Sequence, residues 1–72
     1  MVNISLLQGA MKNRNISYEQ AAEVLGIDRS TFYRRLNRDG ARFTVEEVSK
    51  LSAMLKLSAK EMQNIFFDRE LA

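Results

Sequence analysis

The chain has 72 residues, 46% of them apolar, and it contains no Cys, His, Pro or Trp. Its length predicts one domain over residues 1–72, and the missing Cys and His exclude disulfides, thiol nucleophiles, the usual zinc ligands and Ser-His catalysis. The net charge is only +2, but residues 28–42 carry five Arg and two Asp, which gives +3, and the rest of the chain carries −1. We therefore expect an anionic partner at this basic segment, and no enzyme activity, cofactor, metal or small-molecule substrate.

Apolar residues recur three or four positions apart along the chain, and no stretch alternates with a period of two. This pattern predicts an all-α fold. Start signals place five short helices near residues 4–14, 18–25, 29–37, 45–55 and 59–67. A residue that can cap the helix N-terminus precedes each of them, in chain order Asn3, Ser17, Asp28, Thr44 and Ser58.

Local pairs of residues strengthen these five helix starts. Three of the starts are capping boxes, in which a Glu or Gln three residues after the cap can accept from the cap backbone. An apolar residue before each cap also pairs with one at the fourth helical position, as Ile27 does with Phe32. Gly26 stands where a left-handed residue ends the second helix. Connections of about two to seven residues then predict a compact five-helix domain.

Residues 18–37 place two of the predicted helices around the turn Leu25-Gly26-Ile27-Asp28. Ala22 is small enough to let the two helices cross closely, Gly26 permits the tight turn, and Phe32 fills the space between them. This spacing is typical of a helix-turn-helix motif. Its second helix, here about residues 29–37, is the recognition helix that enters the major groove of DNA.

The motif sequence SYEQAAEVLGIDRSTFYRRLN resembles the Cro/repressor group of XRE-type, lambda-repressor-like proteins. The later run FTVEEV looks like the fourth helix of that family, and IFF near the end looks like the ending of small phage regulators. The similarity covers about residues 4–67. It implies a compact five-helix lambda-repressor-like domain that binds an operator in double-stranded DNA and regulates a phage lysogeny/lysis switch.

The expected location is the cytoplasm of a bacterial host cell. The first residues, MVNISLLQGAM, contain no basic region of the kind that opens a secretory signal. No apolar run approaches the roughly 20 residues that cross a bilayer. We therefore expect no membrane partner.

The recognition helix supplies the candidate site residues. If Phe32 and Leu36 point inward, polar and charged side chains occupy the outward face. The resemblance implies base contacts from Arg29, Ser30, Tyr33 and Arg34. It implies phosphate contacts from Ser17, Tyr18, Asn37, Arg38 and Arg42.

Two residues depart from the family pattern. Tyr18 stands where the family often has Gln, and Arg35 stands where an aliphatic residue is usual, with Leu36 beside it. The second departure predicts that the end of the recognition helix is rotated, so that Leu36 faces the core and Arg35 turns outward.

Two functions fit the sequence. One is a DNA-binding repressor acting as a homodimer on a palindromic site. The other is a lytic-side modulator or antirepressor that forms a heteromer with the opposing phage repressor and blocks its DNA-reading surface. Phe67 and Leu71 are the candidates for a protein interface, because Met62, Ile65 and Phe66 leave little core for Phe67 to enter. The alternative is that Phe67 folds back onto the first helix.

Overall fold

A computed structural model describes residues 2–38 and 42–67, and those residues contain helices and no strand. The helices are α1 (Ile4–Asn13), α2 (Tyr18–Leu25), α3 (Arg29–Asn37), α4 (Val45–Leu55) and α5 (Ala59–Phe66). The predicted all-α fold is confirmed. Helices α1 and α5 each end one residue earlier than expected, because Arg14 (φ −103°, ψ 5°) and Phe67 (φ −128°, ψ 38°) leave the helical conformation.

Each helix begins at its predicted cap. The side-chain oxygen of every cap residue accepts from the backbone N–H three residues later, at 2.7–3.1 Å. In α2, α4 and α5 the box is complete, because Gln20, Glu47 and Glu61 accept in return from the cap backbone. Caps of this kind stabilise a helix by about 1 kcal/mol each. They help a small core to hold five short helices together.

The core is a single cluster to which each of the five helices contributes at least two buried apolar side chains. Its largest fully buried side chains are Phe32, Leu7, Met11, Leu51 and Leu55. Helix α2 packs against both α3 and α4, and α1 packs against α5.

Helices α1 and α5 run antiparallel, since each end of α1 is tied to the opposite end of α5. The Asn3 N–H donates to the Ile65 carbonyl at 2.6 Å. At the other end, an Arg14 guanidinium nitrogen lies 3.0 Å from a Glu61 carboxylate oxygen. No helix in the described part of the chain is long and apolar enough to span a bilayer.

Three of the residues that the structure describes adopt left-handed backbone conformations. Gly26 has φ 73° and ends α2, as predicted. Asn15 has φ 56° and Lys56 has φ 54°, and the sequence analysis predicted neither. Lys56 is the C-cap of α4, a position where glycine is the usual residue.

Candidate nucleic-acid interface

The turn between α2 and α3 fixes the orientation of α3. The Ile27 N–H donates to the Ala22 carbonyl at 3.0 Å, which closes the turn around the left-handed Gly26. Ala22 is buried and Phe32 is completely buried beneath the crossing helices. With Leu36 also buried, one side of α3 is fixed against the core and the opposite side faces solvent.

The solvent face of α3 carries the polar side chains singled out in the sequence. The ring of Tyr33 is 53% exposed. At the end of the helix, the Asn37 side-chain amide donates to the Tyr33 carbonyl at 2.9 Å, so this nitrogen is engaged within α3. The exposed residues with expected base or phosphate contacts on this face are Arg29, Ser30, Tyr33, Arg34, Asn37 and Arg38.

Tyr18 lies beside this face at the start of α2. Its ring packs edge-on against Phe32, with 5.6 Å between centroids, and lies 6.2 Å from the ring of Tyr33. The Tyr18 hydroxyl accepts a hydrogen bond from Gln8 Nε2 at 2.8 Å. The hydroxyl oxygen is therefore held in place, and its own proton can be donated to an acceptor such as a phosphate oxygen.

Ser17 and Arg42 are the two remaining residues with expected phosphate contacts. Ser17 is exposed and caps α2, and Arg42 is exposed shortly before α4 begins. Of the residues expected at a protein interface, Phe67 is 56% exposed at the end of α5. Leu71 lies outside the described residues.

The expectation that Arg35 turns outward is wrong. Its guanidinium makes a bidentate ion pair with Glu47 in α4, with both nitrogen–oxygen distances at 2.7 Å. It also donates to the Arg42 carbonyl and lies over the Phe43 ring, 4.7 Å from the centroid. The Arg35 side chain is only 19% exposed. The physical reason is its position about 60° around the helix from Phe32, which places it at the edge of the buried stripe next to α4.

Two carboxylates near α3 have lowered pKa values. Hydrogen bonds from Arg35, opposed by burial and helped by the Thr44 N–H, lower the pKa of Glu47 to about 2. Hydrogen bonds from the Thr31 side chain and backbone lower the pKa of Asp28, and the positive charge of Arg34 lowers it further by a smaller amount. Both groups are therefore ionised at neutral pH, and the Glu47 charge balances that of Arg35.

Sequence reasoning missed the residues that connect α3 to α4. The capping-box pattern gave the Glu three residues after Thr44 a local role only, and Arg35 was expected to turn outward. A signal did exist, because a long basic side chain beside the apolar stripe of α3 precedes an acid in the first turn of α4. The sequence does not give the distance across the α3–α4 connection, which decides whether the two charges meet.

The core of the helix-turn-helix is buried, and arginine, serine and tyrosine side chains lie on the outer face of its second helix. This arrangement defines a class of DNA-binding domains. The family described as the antitoxin Xre-like helix-turn-helix domain matches residues 4–56. The chain belongs to this family, and it is a DNA-binding regulator in the general sense. The match includes α1 to α4 and ends before α5. Comparisons with curated proteins and with solved structures give no match.

Proposed function

We propose that the protein is a sequence-specific transcription regulator that places α3 in the major groove of an operator. The observation that carries this proposal is the division of α3 into a face buried at Phe32 and Leu36 and an exposed face with four potential base-contacting residues. Those residues are Arg29, Ser30, Tyr33 and Arg34.

The chemistry of the exposed face suits base edges. The guanidinium groups of Arg29 and Arg34 can each donate two hydrogen bonds to guanine O6 and N7. Ser30 donates to a base or a phosphate, and the Tyr33 ring packs on a thymine methyl group. Because α3 has nine residues, it is about 13 Å long, a length that the major groove accommodates.

Phosphate contacts on both sides of α3 would fix its position in the groove. We assign these contacts to Ser17 and Tyr18 at the start of α2, to Asn37 and Arg38 at the end of α3, and to Arg42. The caps of α2 and α4 engage the N–H groups of the cap residue and of the third helical residue. The first two N–H groups of a helix have no partner within the helix, so in this proposal those of α2 and α4 donate to phosphate oxygens.

A Cro-like phage regulator that binds as a homodimer is the most specific form of this proposal. One recognition helix contacts only about four or five base pairs, so a monomer would depend mainly on salt-sensitive phosphate contacts. Two copies with α3 helices about 34 Å apart would contact successive major grooves of a palindromic site.

A mobility-shift titration tests the proposal. The probe is the DNA upstream of the protein's own gene, with a scrambled duplex of equal length and composition as the control. We expect the upstream DNA to shift at a protein concentration at least tenfold lower than the scrambled duplex requires. This threshold is lenient, because specific sites are ordinarily bound at least about 10³ times more tightly than non-specific DNA. Equal affinity for the two duplexes would contradict sequence-specific regulation.

An antirepressor is the second candidate, and the exposed aromatic ring of Phe67 favours it. At 56% exposure on the final turn of the structure, this ring is available to a protein partner. The same titration, repeated with the phage repressor encoded beside the gene, distinguishes the two functions. If the protein alone shifts no DNA and abolishes the shift given by the repressor, the operator-binding function is rejected in favour of the antirepressor.

A further inference from the structure

We propose that Arg35 is a positioning residue of the DNA-binding surface. In this proposal it does not touch DNA. It holds α3, Arg42 and the start of α4 in one arrangement, so that base contacts from α3 and the phosphate contact from Arg42 are made together. The proposal rests on the function proposed above and adds a residue that is not among the expected base or phosphate contacts and does not lie on the exposed face of α3.

A single guanidinium group connects three consecutive parts of the chain. Arg35 lies in α3, and its two terminal nitrogens each lie 2.7 Å from a carboxylate oxygen of Glu47 in the first turn of α4. One of these nitrogens also donates to the Arg42 carbonyl. The guanidinium covers the Phe43 ring at 4.7 Å, and Phe43 in turn packs on Phe32, with 6.2 Å between ring centroids.

Glu47 is itself held by the start of α4. Its Oε1 accepts from the Thr44 N–H at 2.9 Å, and its own N–H donates to Thr44 Oγ1 at 3.1 Å. The capping box therefore holds the carboxylate that binds Arg35. Since Arg35 and Glu47 are only 19% and 18% exposed, the pair is largely shielded from solvent.

This geometry makes a direct DNA contact by Arg35 unfavourable. Its terminal guanidinium nitrogens already donate to a carboxylate and a carbonyl, and its charge is balanced by that of Glu47. A DNA-binding site works only when its contacting side chains are held within about 0.5 Å of the productive geometry. Arg42 lies between two helices, and the hydrogen bond that its carbonyl accepts from Arg35 holds the backbone from which its side chain extends.

The direction in which Glu47→Gln changes DNA affinity distinguishes a positioning role from a simple electrostatic effect. Glu47→Gln removes a negative charge from a surface that meets phosphates, so a charge effect alone would strengthen DNA binding. A positioning role predicts the opposite, because the neutral amide cannot hold both guanidinium nitrogens. Glu46→Gln is the matched control, since it makes the same charge change at the next residue, where the side chain is 77% exposed and pairs with Lys50 in α4.

The experiment measures the affinity of five proteins for one duplex, which the wild type selects from a random-sequence library. The variants are Arg35→Met, Arg35→Lys, Glu47→Gln and Glu46→Gln. All are compared at one salt concentration and at a temperature where far-ultraviolet circular dichroism shows each to be folded. We expect about tenfold weaker binding by Arg35→Met and Glu47→Gln, and no weakening by Glu46→Gln.

Arg35→Lys distinguishes positioning from phosphate contact. Lysine serves a phosphate as a point charge but cannot form the two-pronged contact to Glu47, so a positioning role predicts that it fails to restore affinity. Wild-type affinity in Arg35→Lys, or Glu47→Gln binding as tightly as the wild type, would overturn the proposal. If the wild type selects no duplex at all, the proposed function fails, and the positioning role fails with it.

Discussion

The carboxylate of Glu47 takes part in two structures at once. It accepts from the Thr44 N–H as part of the α4 capping box, and it binds both terminal nitrogens of Arg35. Together these donors lower its pKa to about 2. A single side chain thus couples the stability of a helix start to the placement of the recognition helix.

The stability contributed by Glu47 should depend on pH. Its pKa is lower in the folded than in the unfolded state, so the contribution is complete above the unfolded pKa of about 4.5 and is lost as the pH falls through about 2. We expect Glu47→Gln to lower the free energy of unfolding by about 2 kcal/mol at neutral pH and by much less at about pH 2 and below. Urea unfolding of both proteins at the two pH values measures this difference. A Glu47→Gln effect of equal size at both pH values would contradict this pH dependence.

Arg34 and Arg38 should differ in what they contribute to DNA binding. Arg34→Ala removes a proposed base contact, so we expect a loss of roughly 1–3 kcal/mol for the preferred duplex and relaxed sequence preference. Arg38→Ala removes a proposed phosphate contact, so it should weaken all duplexes alike and reduce the slope of log affinity against log salt by about 1. Titrations against preferred and scrambled duplexes at several salt concentrations measure both effects.

The charge control for these two variants is Lys60→Ala, which removes an exposed cation from α5. It should change neither the sequence preference nor the salt slope. If Arg34→Ala weakens preferred and scrambled duplexes equally, Arg34 contacts phosphate and not a base.

At the scale of helices, starts and ends differ in how well the sequence predicts them. A helix start depends on a cap residue and on a residue only three positions later in the chain. All five caps lie where they were predicted. The end of α2 was predicted because Gly26 is the residue that left-handed ends prefer. Helix α4 also ends at Leu55 as predicted, although no glycine follows it, because Lys56 adopts the left-handed conformation despite the steric penalty of its Cβ. The C-caps of α1 and α5 are not left-handed, and both of these helix ends were predicted one residue too late.

Lys56→Gly should stabilise the protein. Glycine adopts the left-handed conformation without the Cβ clash, and this gain exceeds the added freedom of the unfolded chain, so we expect the free energy of unfolding to rise by about 1 kcal/mol. Asn15→Gly is the matched control, since asparagine tolerates the same conformation and the gain should be smaller. Denaturant unfolding measures both variants. A lower stability for Lys56→Gly would show that its side chain contributes more than the strain removes.

At the scale of the whole molecule, two surfaces are available to partners. One is the basic face of α3, and the other includes Phe67 at the end of α5, with its ring 56% exposed. Leu6 in α1 is 45% exposed, and α1 packs against α5. Helix α5 lies beyond the matched family residues, so an interface there would be a feature of this chain in addition to DNA binding.

If Phe67 forms a homodimer interface, Phe67→Ser should convert the dimer into a monomer. A polar side chain removes the apolar contact area without disturbing the core, because the wild-type ring is already exposed. Sedimentation equilibrium measures the mass directly. Val45→Ser is the control, since Val45 is an apolar side chain that is 85% exposed on another helix. An unchanged mass for Phe67→Ser would reject an interface at the C-terminal end of α5.

The fold could be predicted from the sequence because its determinants are local. Caps, apolar spacing and Gly26 specify the helices and the helix-turn-helix crossing, and the buried Phe32 and Leu36 then fix which face of α3 is exposed. The role of Arg35 could not be predicted, because it depends on how the α3–α4 connection brings Glu47 back to α3. The operator and the partner could not be predicted from local sequence patterns either, because they depend on the shape of a molecule outside the chain.

The central claim is that α3 presents the DNA-reading face. The direct test is amide chemical-shift mapping, in which the ¹⁵N-labelled protein is titrated with its selected duplex. We expect the largest changes at residues 29–38 of α3 and its C-cap, at Ser17 and Tyr18, and at Arg42, with small changes along α1 and α5. Changes concentrated on α1 and α5, with α3 unaffected, would contradict it.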